Sequence, residues 1–151
     1  MPREPQTLVV DDGTPGRLLS IGDIVVGDAV RQTVAFTPEL RDAFHVLGRD
    51  DAPVHGDVAF ARARGFDAPI VQGLCVSTRF SRLIGMYLPG QSAVLEGVSF
   101  KYRRPVAQDA QVMFTATVSR VQAALRVVRL DLLASIDGRT CITGEAQCLL
   151  R

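Results

Sequence analysis

The rhythm of apolar and polar residues changes once along this chain, at Pro89-Gly90. Before that point the spacing is helical. Leu40, Phe44 and Leu47 keep it from Thr37-Pro38 to Gly48, threonine serving as N-cap and proline as first helical residue. Asp57 to Arg64, with Ala59, Phe60 and Ala63, predicts a short helix ended by Gly65. Val71 to Leu88 predicts the main helix, with Gly73, Val76, Phe80, Leu83, Ile84 and Tyr87 along one stripe and Pro89-Gly90 as its stop. One strand is predicted in this half, over Gly27 to Phe36, where Val30, Gln32, Val34 and Phe36 share a parity.

After Gly90 the period is 2. Val94, Glu96, Val98, Phe100 and Tyr102 alternate with Leu95, Gly97, Ser99, Lys101 and Arg103. The habit recurs at Val112, Phe114, Ala116 and Val118, and again at Val128, Leu130, Leu132, Ala134 and Ile136. Asp137-Gly138 is a hairpin turn, after which Ile142, Gly144, Ala146, Cys148 and Leu150 form the last inward face. One strand and several helices followed by four antiparallel strands is an α+β arrangement, a long sheet curved around one apolar helix. Residues 1–20 lack a pattern and carry Asp12-Gly13 and Pro15-Gly16, so they read as an irregular arm before a single domain over 21–151.

Composition narrows the function classes. The 151 residues suit one domain. They are 47% hydrophobic and 22% charged, with 17 basic and 16 acidic side chains for a net charge of +1. That balance offers neither nucleic acid nor a membrane surface an electrostatic reason to bind. No apolar run reaches the roughly 18 residues of a membrane span, and no signal core follows the N-terminus. Cys75, Cys141 and Cys148, an odd number widely spaced, argue for a reducing, cytoplasmic setting rather than a disulfide framework. They form no Cys-x-x-Cys, and with two histidines they make no metal set.

The chemistry-bearing segment is Asp50-Asp51-Ala52-Pro53-Val54-His55. An aspartate before a proline is common turn chemistry. The alternative is an acid–base pair, since imidazole both takes and gives protons near neutral pH and a carboxylate can orient it or hold water. Gly73 opens the main helix, where free N–H groups and the positive dipole end can meet an oxyanion; packing against the sheet is the other reason for a glycine there. Lys101, Arg103 and Arg104 are either a solvated strand end or phosphate-binding groups. Arg79 and Arg82 read as helix-face charges or dimer contacts, Cys75 as a buried structural thiol, and His45 as a packed or surface histidine.

Together these residues resemble the MaoC-like dehydratases and (R)-specific enoyl-CoA hydratases. That family's signature is Asp-x-Asn-Pro-Ile-His followed by Pro-Ile-x-His-Gly-Met. Here it reads Asp50-Asp51-Ala52-Pro53-Val54-His55 and Pro69-Ile70-Val71-Gln72-Gly73-Leu74. Leu88-Pro89-Gly90, Phe100 to Val106 and Gly144-Glu145-Ala146 extend the likeness from about Ile21 to the C-terminus. The resemblance implies a hot-dog fold and a homodimer or dimer of dimers. It implies a hydro-lyase of fatty acid metabolism that interconverts 2-enoyl and (3R)-hydroxyacyl thioesters, with no metal or redox cofactor and with coenzyme A or an acyl carrier arm as part of the substrate.

Asp50 and His55 would then be catalytic and Gly73 the oxyanion donor. Gln72, Ser81, Pro69, Val71 and Arg103 would bind substrate. Three positions depart from the pattern: Arg49 for glycine, Ala52 for asparagine and Gln72 for histidine. A hot-dog thioesterase and a non-catalytic acyl-thioester-binding homologue are the alternatives. Against the former, no acidic residue lies between Gly73 and Leu88.

Overall fold

A computed structural model of the chain describes residues 3–151. In chain order it comprises β1 (Thr7–Val9), β2 (Ala29–Ala35), α1 (Pro38–Gly48), α2 (Val58–Ala63), α3 (Gly73–Met86), β3 (Ala93–Tyr102), β4 (Gln111–Gln122), β5 (Val127–Ile136) and β6 (Arg139–Leu150). Short 3₁₀ turns lie at Ile21–Asp23, Pro53–His55 and Ala123–Leu125. The six strands form one sheet in the order β1-β2-β4-β5-β6-β3, antiparallel except for the β1–β2 pair.

The α3 stripe read from the sequence packs on the concave face of this sheet. Val76, Phe80, Leu83, Ile84 and Tyr87 are buried against Val30, Phe114, Leu130 and Ile142 from four different strands. Phe80 is the hub: its ring stacks on Phe100 at 5.6 Å and meets Phe114 edge-on at 5.2 Å. A sheet wrapped around one central helix is the hot-dog arrangement that the resemblance implied.

Two readings change. The N-terminal arm is not wholly irregular, because Thr7–Val9 pairs in parallel with Ala29–Arg31 at the sheet edge. The arm then crosses the end of α3, where the buried Tyr87 hydroxyl donates to the Thr14 carbonyl at 2.9 Å and Gly90 lies against the Arg17 carbonyl. A three-residue strand is too short to show a period, which is why the pattern misses it.

The second change is in β3. Its register against β6 shifts between Leu95 and Gly97, leaving Glu96 as a bulge. Residues directly opposite one another share a face, and Leu95, Val98 and Phe100 lie opposite Cys148, Ala146 and Gly144. The helix-facing set is therefore Leu95, Val98, Phe100 and Tyr102, not one unbroken alternation from Val94. The other strands keep the expected faces, and Asp137-Gly138 turns the last hairpin with both φ angles positive (49° and 75°).

Candidate active site

α1 delivers the chain to the site. Its C-cap is Arg49, held left-handed at φ 53°, and this turns Asp50 out of the helix line. The Asp50 carboxylate accepts the Ala52 N–H at 3.1 Å, the aspartate turn expected of this segment. Pro53–His55 then winds one 3₁₀ turn. The segment is stitched to the strand-like run before α3 by the Ile70 N–H, which donates to the Val54 carbonyl at 3.2 Å, and that run is held in turn by the Val71 N–H, which donates to the Val106 carbonyl at 2.8 Å.

These bonds hold the imidazole in one sense. His55 Nδ1 lies 2.8 Å from the Ile70 carbonyl oxygen, which can only accept, so Nδ1 carries the proton. Nε2, the other ring nitrogen, lies 3.5 Å from Asp50 Oδ2. The spacing leaves the two groups close enough to share a proton or a water. The aspartate turn and the close approach of Asp50 to His55 occur together in one geometry.

The pair stands at the edge of a cavity of about 610 Å³, within the range of small-molecule sites. Its apolar walls include Phe44, Phe66, Ile70, Val71, Val76 and Val106. Gly73 and the first turn of α3 lie on the same cavity. Helix geometry leaves the first N–H groups of α3 without carbonyl partners inside the helix. Gly73 is also a packing glycine, because a Cβ there would come within 2.9 Å of the Tyr102 ring. That ring is fixed by a 2.7 Å hydrogen bond between its hydroxyl and Ser77, whose own hydroxyl reaches the Gly73 carbonyl at 2.9 Å.

The domain of the chain that carries this geometry has known relatives. The family model described as MaoC like domain matches residues 25–131. The chain belongs to the MaoC-like family. It is 30% identical over 129 residues to the (R)-specific enoyl-CoA hydratase of Aeromonas caviae, covering 85% of this chain and 96% of that protein. It is 38% identical over 81 residues to a mitochondrial 3-hydroxyacyl-[acyl-carrier-protein] dehydratase of Arabidopsis thaliana, covering 54% of this chain and 48% of that protein. Among solved structures, the (R)-hydratase from A. caviae involved in PHA biosynthesis superposes with a TM-score of 0.81 at 30% identity, over 85% of this chain and 98% of that one.

Measured against the MaoC-like pattern, most expected site residues converge. Asp50, His55, Val71, Gln72, Gly73 and Arg103 all border the one cavity. Pro69 lies just outside its lining, one residue before Ile70. Ser81 does not reach the cavity: it is exposed, two turns along α3 from Gly73. The serine near the cavity is Ser77, one turn earlier, on the stripe that faces β3.

The Arg49 departure has a backbone meaning, since φ 53° is the conformation glycine adopts without strain. The Ala52 departure leaves the loop with an exposed methyl. Gln72 is buried, and its side-chain oxygen has no hydrogen-bond partner among the described residues.

Of the basic residues, Arg103 and Arg104 reach the cavity, and Lys101 does not. Arg104 Nη1 donates to the Thr140 carbonyl at 2.7 Å. Arg79 pairs with Asp12 of the arm at 3.2 Å, and Arg82 does so at 3.6 Å, so both are tied to this chain's own N-terminal segment. Two features escaped the sequence reading. Tyr102 and Ser77 meet across 25 residues of chain, and His45 pairs with Asp51 at 3.2 Å beside the Asp50–His55 pair. Among the described residues, no group of three or more His, Cys, Asp or Glu side chains is placed to hold a metal ion, and no helix is long and apolar enough to cross a membrane.

Proposed function

We propose that this protein is a hydro-lyase that interconverts 2-enoyl and (3R)-hydroxyacyl thioesters. The observation that carries the reading is the oriented Asp50–His55 pair at the edge of an apolar cavity that also borders the first turn of α3. In the hydration direction, Asp50 and His55 Nε2 hold a water at C3 of the enoyl group and remove one of its protons as the C3–O bond forms. Electron density moves through the conjugated system onto the thioester oxygen, where the Gly73 N–H opposes the growing charge. The pair then gives up the proton it took, to the α-carbon, which completes the addition and returns Asp50 and His55 to their starting state. No metal or redox group takes part, and coenzyme A or an acyl carrier arm enters with the substrate, with Arg103 at the cavity on which its acyl part would lie. Val71 contacts the acyl part of the substrate, Gln72 stands beside the Asp50–His55 pair, and the setting is cytoplasmic.

The absence of any acidic residue on α3, Gly73–Met86, weighs against a thioesterase of the type that places its carboxylate there. The assembly proposed is a homodimer, or a dimer of such dimers, formed along β3. That edge strand exposes Val94, Leu95 and Val98 at 50%, 42% and 44% and, among the described residues, has no strand on its outer side.

A panel of 2-enoyl-CoA thioesters of increasing chain length, followed by loss of the conjugated thioester absorbance, tests the activity, with His55→Ala as control. Hydration by the wild type and its collapse in the variant are expected. A wild type silent across the panel sinks the proposal, and release of free thiol from a saturated acyl-CoA turns it toward hydrolysis.

A further inference from the structure

Asp50, His55 and Gln72 border two cavities, not one. On one side is the apolar cavity already described. On the other is a polar depression of about 530 Å³, walled by Arg41, Asp42, His45, Asp51 and Asp57 and floored by the Ala52–Gly56 loop. The three shared residues form the wall between them. Within that wall Gln72 is 4% exposed, and its side-chain carbonyl oxygen meets no donor among the described residues. A buried polar atom without a partner is costly, and in native proteins such an atom is commonly completed by an ordered water.

The two cavities differ in what they offer a water molecule. A bound acyl chain fills the apolar side, whose walls give a water few polar partners. The polar side keeps the carboxylates of Asp42, Asp51 and Asp57, the imidazole of His45 and the guanidinium of Arg41 around a path to the same pair. Water entering there reaches Asp50 and His55 without passing the substrate.

We propose that the reacting water arrives through this rear depression and is held for the Asp50–His55 pair by the Gln72 amide. The inference rests on the hydratase reading and adds a route and a positioning residue to it. It also gives a role to a glutamine that departs from the family pattern.

Two variants and one structure test it. Gln72→Met keeps the length of the side chain and removes its polar atoms. The expected result is a loss of about ten- to a hundredfold in hydration kcat, with KM for the enoyl thioester within about twofold and Tm not lowered, a split that a merely structural glutamine would not produce. Gly56→Trp plugs the depression from its floor. Gly56 has φ −140°, open to any residue, and a Cβ there meets nothing within 4 Å. It too is expected to lower kcat and leave KM unchanged.

A crystal structure of the wild type is expected to show a water hydrogen-bonded to the Gln72 amide and lost in Gln72→Met. Unchanged kcat in either variant, or no such water in the wild type, overturns the inference. A wild type that hydrates no enoyl thioester sinks the functional reading instead, and the crystallographic arm then decides the water site by itself.

Discussion

His55 illustrates how one side chain acquires direction from its neighbours. The Ile70 carbonyl fixes the proton on Nδ1 and leaves Nε2 as the nitrogen beside Asp50. On the proposed mechanism, Asp50→Asn and His55→Ala each lower kcat by about 10²- to 10⁴-fold, while the circular dichroism spectrum and Tm change little. Asn at 50 keeps an oxygen to accept the Ala52 N–H, so the turn survives and only the charge goes. Arg49 carries a different prediction. At φ 53° an L side chain is strained where glycine is not, so Arg49→Gly is expected to raise stability by about 0.5–1 kcal/mol, read as a higher denaturant midpoint with an unchanged slope. Gly73→Ala runs the other way, because the added methyl meets the Tyr102 ring; overpacking of this kind costs about 1–3 kcal/mol, and shortening residue 102 in the double variant is expected to recover part of the lost Tm.

Elements are joined here by polar ties that composition does not show. Asp28, buried in the turn before β2, gathers the N-terminal arm. Arg3 donates to it at 2.8 Å, and the Gln6 and Val25 N–H groups at 3.0 Å each. Burial alone would raise its carboxyl, but the Arg3 hydrogen bond, the two amides and the Arg3 charge outweigh burial and hold it below the ordinary carboxylate range. A depressed folded value means that Asp28 stabilises the protein above the unfolded pKa of about 3.9, and that this contribution is lost as pH falls through the folded value. Urea midpoints measured from neutral pH downward are therefore expected to fall more steeply below pH 4 in the wild type than in Asp28→Asn. The cysteines face the opposite pressure. Burial raises the thiol of Cys75, and with the help of nearby Glu96 it pushes that of Cys148 up to about 11. All three cysteines are buried, so they should stay unreactive to an aqueous thiol reagent at neutral pH until the fold is opened.

For the molecule as a whole, the open edge at β3 is the decisive surface. The bulge at Glu96 turns Leu95 and Val98 toward the concave face while leaving them half-exposed. A second copy on that edge would cover them and continue the sheet. Val98→Lys is accordingly expected to shift the mass measured by light scattering from dimer to monomer, and a wild type that is monomeric at micromolar concentration would remove the dimer proposal. The cavity that holds Asp50 and His55 is itself a product of the whole fold: α1, the run before α3, the first turn of α3 and the end of β3 each contribute one wall.

Local periodicity determined most of the architecture by itself, since a 3.6-residue stripe and a 2-residue alternation are written in neighbouring residues and need no partner to be legible. The α3 stripe, the inward faces of β4, β5 and β6, and the Asp137-Gly138 turn are of this kind. The acid and the imidazole were legible too, because five residues on a proline turn cannot carry them far apart. Only the tertiary structure decided that Thr7–Val9 is a strand, that a bulge resets the face of β3, and that Ser77 bonds to Tyr102 and Gly73 while Ser81 is exposed. It also decided that Gln72 is buried between two cavities and that Gly73 is small because of Tyr102. Each of those depends on residues 20 or more positions apart in the chain, and nothing in a local pattern records which distant side chain will fill the space beside it.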